Sequence, residues 1–436
     1  MNAGTALGRP QILAYGALGL PLAFAALPLY VHVPRLYAGE VGLSLATVGA
    51  VLLAARIVDA VTDPLIGWAA DRIAGRRGLV LAAVLLLGAS LPALLAPPAG
   101  AGGGWLFGLL VLVSLAYSLA TIAYAAWGAE VAPTPDLSTR VVASREGFGL
   151  VGVVLAAALP GVLAADGGEA AGLARLAWIF LPLLLACAAW TLLAAPVAPP
   201  RTAQPLPLLR SLADALRDAG FARLLVVFAV NGIAAAAPSA TVLFFVADVL
   251  QADQRAAGAF LVLYFVAAAA SLPLWVAVSR RIGKLRAWFA GMVLAIAVFV
   301  WAGLLGSGDL IAYGLICVLS GVALGADLAL PPSLLADLLA RADGSGARAG
   351  ACFGWWSFVT KANLALAAGL ALPLLALLGY TPGARDDAAA AALAAVYAWL
   401  PVGLKLGAVA LLWRWRDGLE PAAPTARAAT LTEARS

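Results

Sequence analysis

Leu52–Trp68 reads LLAARIVDAVTDPLIGW, an apolar run interrupted by Arg56, Asp59 and Asp63. Spacings of three and four place these ionisable groups on one face of a helix. The run is long enough to cross a bilayer, where each charged group at the centre costs at least about 2.5–3.5 kcal/mol on insertion scales. Two carboxylates stacked about one turn apart repel when both are ionised, and one Arg cannot neutralise both. A bound cation or a proton would resolve the imbalance. Pro64 removes a backbone hydrogen bond and loosens the turn around Thr62, whose carbonyls and hydroxyl add oxygen ligands suited to a hard cation.

Outward from this stretch the same apolar character continues. Of 436 residues, 64% are apolar and 11% charged, against about 45–50% and 25% in soluble domains. So few charges cannot cover a water-facing surface, and lipid is the expected solvent. Apolar segments fall at 11–33, 43–70, 78–97, 104–130, 145–165 and 174–196, then at 222–250, 258–280, 286–306, 309–338, 349–379 and 389–414. The count of six plus six predicts an all-α membrane protein with twelve transmembrane helices in two pseudo-symmetric bundles. The expected organisation is an N-terminal bundle over 1–196, a linker over 197–221, a C-terminal bundle over 222–416 and a tail over 417–436. Within the linker, Leu209, Leu212 and Leu216 oppose Arg210, Asp214, Arg217 and Asp218, the pattern of a surface-lying amphipathic helix. The first apolar run lacks a cleavage-site pattern and reads as a permanent span.

The net charge of +5 comes from 24 Arg and three Lys against 22 acids. These basic residues lie in short loops rather than on one patch, which argues against a nucleic-acid partner. With the N-terminus inside, twenty basic residues fall in inner segments and four in outer loops, so both termini are expected on the cytoplasmic side of the cell membrane. GWAADRIAGRRG (Gly67–Gly78) and AVSRRIGKLRAW (Ala277–Trp288) echo each other after the second and eighth spans. Asp71, Arg72, Arg76 and Arg77 in the first copy are candidates for an inner latch.

Other charges sit within apolar runs. Lys361, in GACFGWWSFVTKANLALAAG, lies about 17 Å from the inner end of its span, too deep to snorkel, and needs Asp59 or Asp63 as partner. Asp327, in GVALGADLALPPSLLAD, precedes Pro331-Pro332 and reads as a substrate contact or gating element beside a broken helix. Arg145 adjoins Glu146 and fits either a cavity cation or a gate ion pair. Lys405 reads as a snorkelling, structural residue. Tyr124, Trp127, Trp355 and Trp356 are candidate aromatic faces for a ligand. Cys187, Cys317 and Cys352 show no metal-ligand or disulfide spacing.

R-I-x-D-A-x-x-D-P-L-I-G-W at Arg56–Trp68 resembles the second helix of the glycoside–pentoside–hexuronide:cation symporters, the melibiose-permease branch of the major facilitator superfamily. The likeness continues through YGALG (Tyr15–Gly19), GWAADR (Gly67–Arg72), IAYAAWGAEVAPT (Ile122–Thr134), SREGF (Ser144–Phe148), LLAD (Leu334–Asp337) and F-x-x-K-x-x-x-A with a later LGY (Phe358–Tyr380). It implies alternating access between two bundles. It also implies that Asp59 and Asp63 are the paired cation-site carboxylates, with Thr62 standing where an Asn is used and Ser118 supplying a hydroxyl. Arg145 and Lys361 match basic residues that line a sugar cavity and couple it to the cation site. The sugar half departs from this pattern: no acid precedes Glu40, Thr121 replaces the fourth-helix acid, and Asp327-Leu328 stands at the tenth-helix aromatic position. Relatives sharing the cation site include carriers of lysolipids.

The expected function is secondary active symport of a small solute, sugar or sugar-like, driven by sodium or protons. Alternatives are a proton-coupled exporter, or a carrier of an amphiphile, lysolipid or acidic metabolite. The single His, with no nucleophile–base constellation, speaks against an enzyme, and the absence of a phosphate-cradling loop speaks against ATP. No cofactor is expected beyond the coupling ion. The expected partners are a small-molecule substrate and the bilayer, and the expected state is a monomer.

Overall fold

The computed structural model describes residues 7–73, 75–132, 134–163, 168–198, 207–342, 348–381, 383–384 and 386–419. Most of the expected tail and linker residues 199–206 lie outside them. All regular structure among the described residues is helical. Among the described residues, nine helices are long and apolar enough to cross a membrane, by length and composition.

In the first half, α1 (Arg9–Ala17) and α2 (Gly19–Arg35) form one rod interrupted at Leu18. They are followed by α3 (Leu45–Arg72), α4 (Arg76–Leu95), α5 (Gly103–Val131), α6 (Pro135–Leu163) and α7 (Gly168–Ala194). The short α8 (Leu208–Arg217) leads into the second half: α9 (Ala219–Phe244), α10 (Gln254–Ile282), α11 (Lys284–Ala302), α12 (Leu310–Ala342) and α13 (Ala349–Leu377). The twelfth rod is α14 (Asp387–Ala394) and α15 (Leu400–Arg414), joined by a π-helical turn at Ala395–Trp399, and α16 (Arg416–Leu419) follows. Further π-turns extend α2 at Leu36–Glu40 and α9 at Phe245–Val249. Twelve rods in two sets of six are the fold that the apolar runs predict.

Local chemistry fixes several helix starts. Ser44, Asp218, Asp253 and Asp386 each accept a backbone N–H from the first turn of α3, α9, α10 and α14 respectively. The internal echo is structural as well as sequential. Gly75 (φ +94°) and Gly283 (φ +88°) take positive φ immediately before α4 and α11, a conformation that glycine adopts without a Cβ penalty.

One core cluster fills the first bundle around Tyr15, Phe24, Leu87, Trp127 and Phe180. Others fill the second around Trp288 and Leu330, and around Phe245, Tyr313 and Tyr397. The halves meet where α3 packs on α13 and where α6 packs on α10 and α12. At the first seam, a Cβ on Gly67 or Gly350 would collide with the facing residue's carbonyl, so the two backbones touch directly.

Two expectations are corrected. Helix α12 runs through Pro331-Pro332 without a break. Two missing N–H groups leave the carbonyls four residues earlier, those of Asp327 and Leu328, without helical donors, while packing on α10 and α11 holds the rod continuous. Lys405 does not snorkel; it is 3% exposed and bonded inside the second bundle.

Candidate functional site

Helix α3 carries Asp59 and Asp63 one turn apart, both buried, facing α5 and α13. Lys361 of α13 reaches across the seam between halves. Its Nζ donates to Asp59 Oδ1 at 2.7 Å, Asp63 Oδ1 at 2.8 Å and Ser118 Oγ at 2.7 Å. Ser118, on α5, donates in turn to Asp59 Oδ1 at 3.1 Å. The Lys361 ammonium therefore sits among three oxygens, as a coordinated cation would. One positive charge faces two carboxylates, and Asp63 Oδ2 is buried with no hydrogen-bond partner among the described residues. A buried carboxylate oxygen left this way carries the full desolvation penalty, which a proton or a metal cation would relieve. Thr62 is turned elsewhere: its hydroxyl donates to the Asp59 carbonyl at 3.1 Å.

Below this site, toward the arginine-rich end of the bundle, Asp71 at the end of α3 accepts from the Gly350 and Ala351 amides at 2.7 and 2.8 Å. These are the second and third N–H groups of α13, where a carboxylate also meets the positive end of the helix dipole. Arg76, buried, braces that carboxylate at 2.8 Å and bonds Glu130 of α5 at 2.9 Å. Arg72 stacks over Trp68, while Arg77 bonds the Ala195 carbonyl and lies over Trp127, both inside the first half. Of the four latch candidates, Asp71 spans the seam and Arg76 supports it.

A second charged cluster, not foreseen from the sequence, bridges the other seam. Lys284 pairs with Asp337 at 2.7 Å and donates to Ser138 Oγ at 2.9 Å. Ser138 also donates to Asp337 at 3.1 Å, and Thr139 meets Ser333 at 3.0 Å. Arg280 binds Asp136 beside them. Lys284 follows Gly283 just as Arg76 follows Gly75, and each basic residue meets an acid near the end of the next helix, Glu130 of α5 and Asp337 of α12. The signal was in the repeat: the echo that marked Arg76 also marks Lys284.

The remaining candidates are placed as follows. Arg145 and Glu146 pair with each other at 2.6 Å. Thr121 back-bonds to the Tyr117 and Ser118 carbonyls at 2.9 and 3.2 Å. Tyr124 is buried against Tyr15, each hydroxyl bonded to the other residue's carbonyl. Trp356 stacks on Phe228 with centroids 3.7 Å apart, and Trp355 donates to the Leu212 carbonyl of α8 at 3.3 Å. Asp327 is not brought to the Lys361 cluster. It accepts from Lys405 at 2.8 Å, Asn231 at 3.0 Å and Trp288 at 2.8 Å, tying α12 to α15, α9 and α11.

Twelve rods with a charged cluster on the seam between six-helix halves form a recognisable architecture. Residues 12–416 match the family model described as MFS/sugar transport protein. The chain belongs to the major facilitator superfamily. Among curated proteins none matches significantly. A bacterial homologue of the iron transporter ferroportin, crystallised in an outward-facing state, superposes with a TM-score of 0.67 at 18% identity over 94% of this chain and 100% of that one. The human organic anion transporter MFSD10 (TETRAN) gives 0.66 at 19% identity over 93% and 100%. Likeness at such identity concerns the fold. Membership makes this facilitator-fold chain an integral membrane transporter.

Proposed function

We propose that this protein is a cation-coupled symporter of a small solute, working by alternating access, with Asp59, Asp63, Lys361 and Ser118 as its coupling site. The observation that carries the reading is the single ammonium shared by two buried carboxylates, one of whose oxygens is unsatisfied. Sodium or a proton arriving at Asp63 makes up the missing charge, loosens the hold on Lys361, and frees its ammonium for the solute. Cation and solute then strengthen each other's binding. The Arg bias supports an orientation with the arginine-rich end and both termini in the cytoplasm. On that assignment the latches at Asp71 and Lys284 close the inner side.

A sugar or sugar-like solute is supported by the family description and by the likeness of the Arg56–Trp68 motif to cation:sugar symporters. A second reading, a carrier or proton-coupled exporter of an amphiphile or acidic metabolite, is favoured by one observation. Tyr124, Trp355, Trp356 and Asp327 are committed to partners away from the Lys361 cluster, which leaves the Arg145–Glu146 pair and the Lys361 cluster as the charged groups whose cations an anionic ligand group would draw from their present carboxylates. Both readings keep the same coupling site.

The test is thermal stabilisation of the purified protein by sodium at constant ionic strength and several pH values, beside Asp59→Asn and Asp63→Asn. Sodium-specific stabilisation lost in both variants establishes a sodium site. Stabilisation by acid alone, altered in the variants, establishes a proton site. Indifference of the wild type to both overturns the coupling role. Uptake into proteoliposomes under an imposed sodium or proton gradient then separates import from export.

A further inference from the structure

Helix α8 presents two different rows to its surroundings. Leu209 and Leu216 lie within about 20° of each other around the helix axis, and Arg210 and Arg217 about 80–120° away. Leu209 is 81% exposed, and the Arg210 and Arg217 side chains are 71% and 78% exposed. Asp214 lies within 3.7 Å of Arg210 and 3.4 Å of Arg217, one acid for two arginines. The opposite face, with Ser211 and Ala215 buried, packs on α3, α9 and α13. Its level is fixed by the bond from Trp355, in the second turn of α13, to the Leu212 carbonyl, and by Asp218 standing 4.0 Å from Arg348 at the start of α13. Helix α8 thus runs beside the ends of transmembrane helices, where acyl chains give way to headgroups.

We propose that the Leu209/Leu216 and Arg210/Arg217 rows bind the headgroups of anionic phospholipids, and that this binding holds the latched end shut. An apolar row beside a basic row at this depth is complementary to a negatively charged leaflet, the leucines entering the acyl boundary and the guanidiniums meeting phosphates. The consequence for gating follows from what α8 touches. It rests on both α3 and α13, and opening the latched end requires those two helices to part at Gly67, Asp71 and Gly350. A strap anchored to the membrane resists that separation. The inference does not depend on which solute is carried.

The test uses the full chain, with Cys187, Cys317 and Cys352 replaced by Ala, in nanodiscs of phosphatidylcholine alone or with 30% phosphatidylglycerol. Spin labels at Ile73→Cys and Arg341→Cys report the separation of the latched ends. Phosphatidylglycerol is expected to raise the ratio of closed to open distances by about five-fold per arginine. Arg210→Gln/Arg217→Gln abolishes that response, and Arg210→Lys/Arg217→Lys keeps most of it. Arg9→Gln, remote from α8, leaves it intact. Unchanged distances in the two lipids overturn the proposal, as does a response that survives in the Gln variant or disappears equally in Arg9→Gln. If inositol phosphates in solution reproduce the shift in phosphatidylcholine, the ligand is a soluble phosphate and the lipid assignment falls.

Discussion

Lys361 Nζ lies 2.7 Å from Asp59 Oδ1 and 2.8 Å from Asp63 Oδ1, joining the two halves by one ammonium between two carboxylates. The lysine stands on one half and both acids on the other, so the cluster's charge state bears on how tightly the halves hold together. In the proposed mechanism the same three groups serve as gate and as ion site.

Lys361→Met leaves two buried carboxylates facing each other without a cation, Ser118 remaining as a neutral donor to Asp59. Breaking a buried pair by removing one member costs about 3–5 kcal/mol. The variant should melt well below wild type at pH 8, and added protons or sodium should recover more of the loss than they give to wild type. Thermal unfolding across pH, with and without sodium, checks this.

Asp63→Asn removes the surplus charge and gives the unsatisfied Oδ2 position a neutral group. Its melting temperature should equal or exceed that of wild type, while its stability becomes insensitive to sodium and its uptake no longer responds to the ion gradient. A fall in stability at every pH would mean that Asp63 is held ionised by something other than Lys361.

These residues also show how far sequence reading reached. Asp59, Asp63 and Lys361 were legible because burying an unpaired charge in lipid is costly enough to demand a partner, and the chain offers few. The twelve rods were legible for the same reason, since apolar length is set by bilayer thickness. Trp356 and Tyr124 were not, because an aromatic side chain packs on a neighbouring ring or lines a cavity with the same composition around it. Lys405 was misread because its nearness to a helix end made snorkelling sufficient, and only the fold brings Asp327 and Asn231 to it.

That second cluster yields a separate expectation. Lys405→Met alone strands Asp327 and should destabilise by about 3–5 kcal/mol, whereas Lys405→Met with Asp327→Leu should recover most of the loss. Unfolding of the two variants, with transport measured alongside, separates a bracing role within the second bundle from direct participation: bracing alone restores transport with stability.

At the seam, Gly67→Leu drives a side chain into the Gly350 backbone. The latched end should open, transport should fall at least ten-fold, and spin-label distances across α3 and α13 should lengthen. An unchanged distance distribution would show that the seam yields elsewhere.

Three lysines occur in the whole chain, and each is bonded to an aspartate: Lys284 to Asp337, Lys361 to Asp59 and Asp63, Lys405 to Asp327. Arginine supplies every other fixed cation of the side chains. An amine-selective reagent therefore meets, apart from the N-terminus, only groups shielded by carboxylates. Which lysine becomes modified during turnover, read by mass spectrometry of tagged peptides, reports which of three junctions has come apart: the Lys284 seam, the proposed ion site or the brace of the second bundle. The protein carries its own chemical footprinting probes, one per junction, with no label to be engineered.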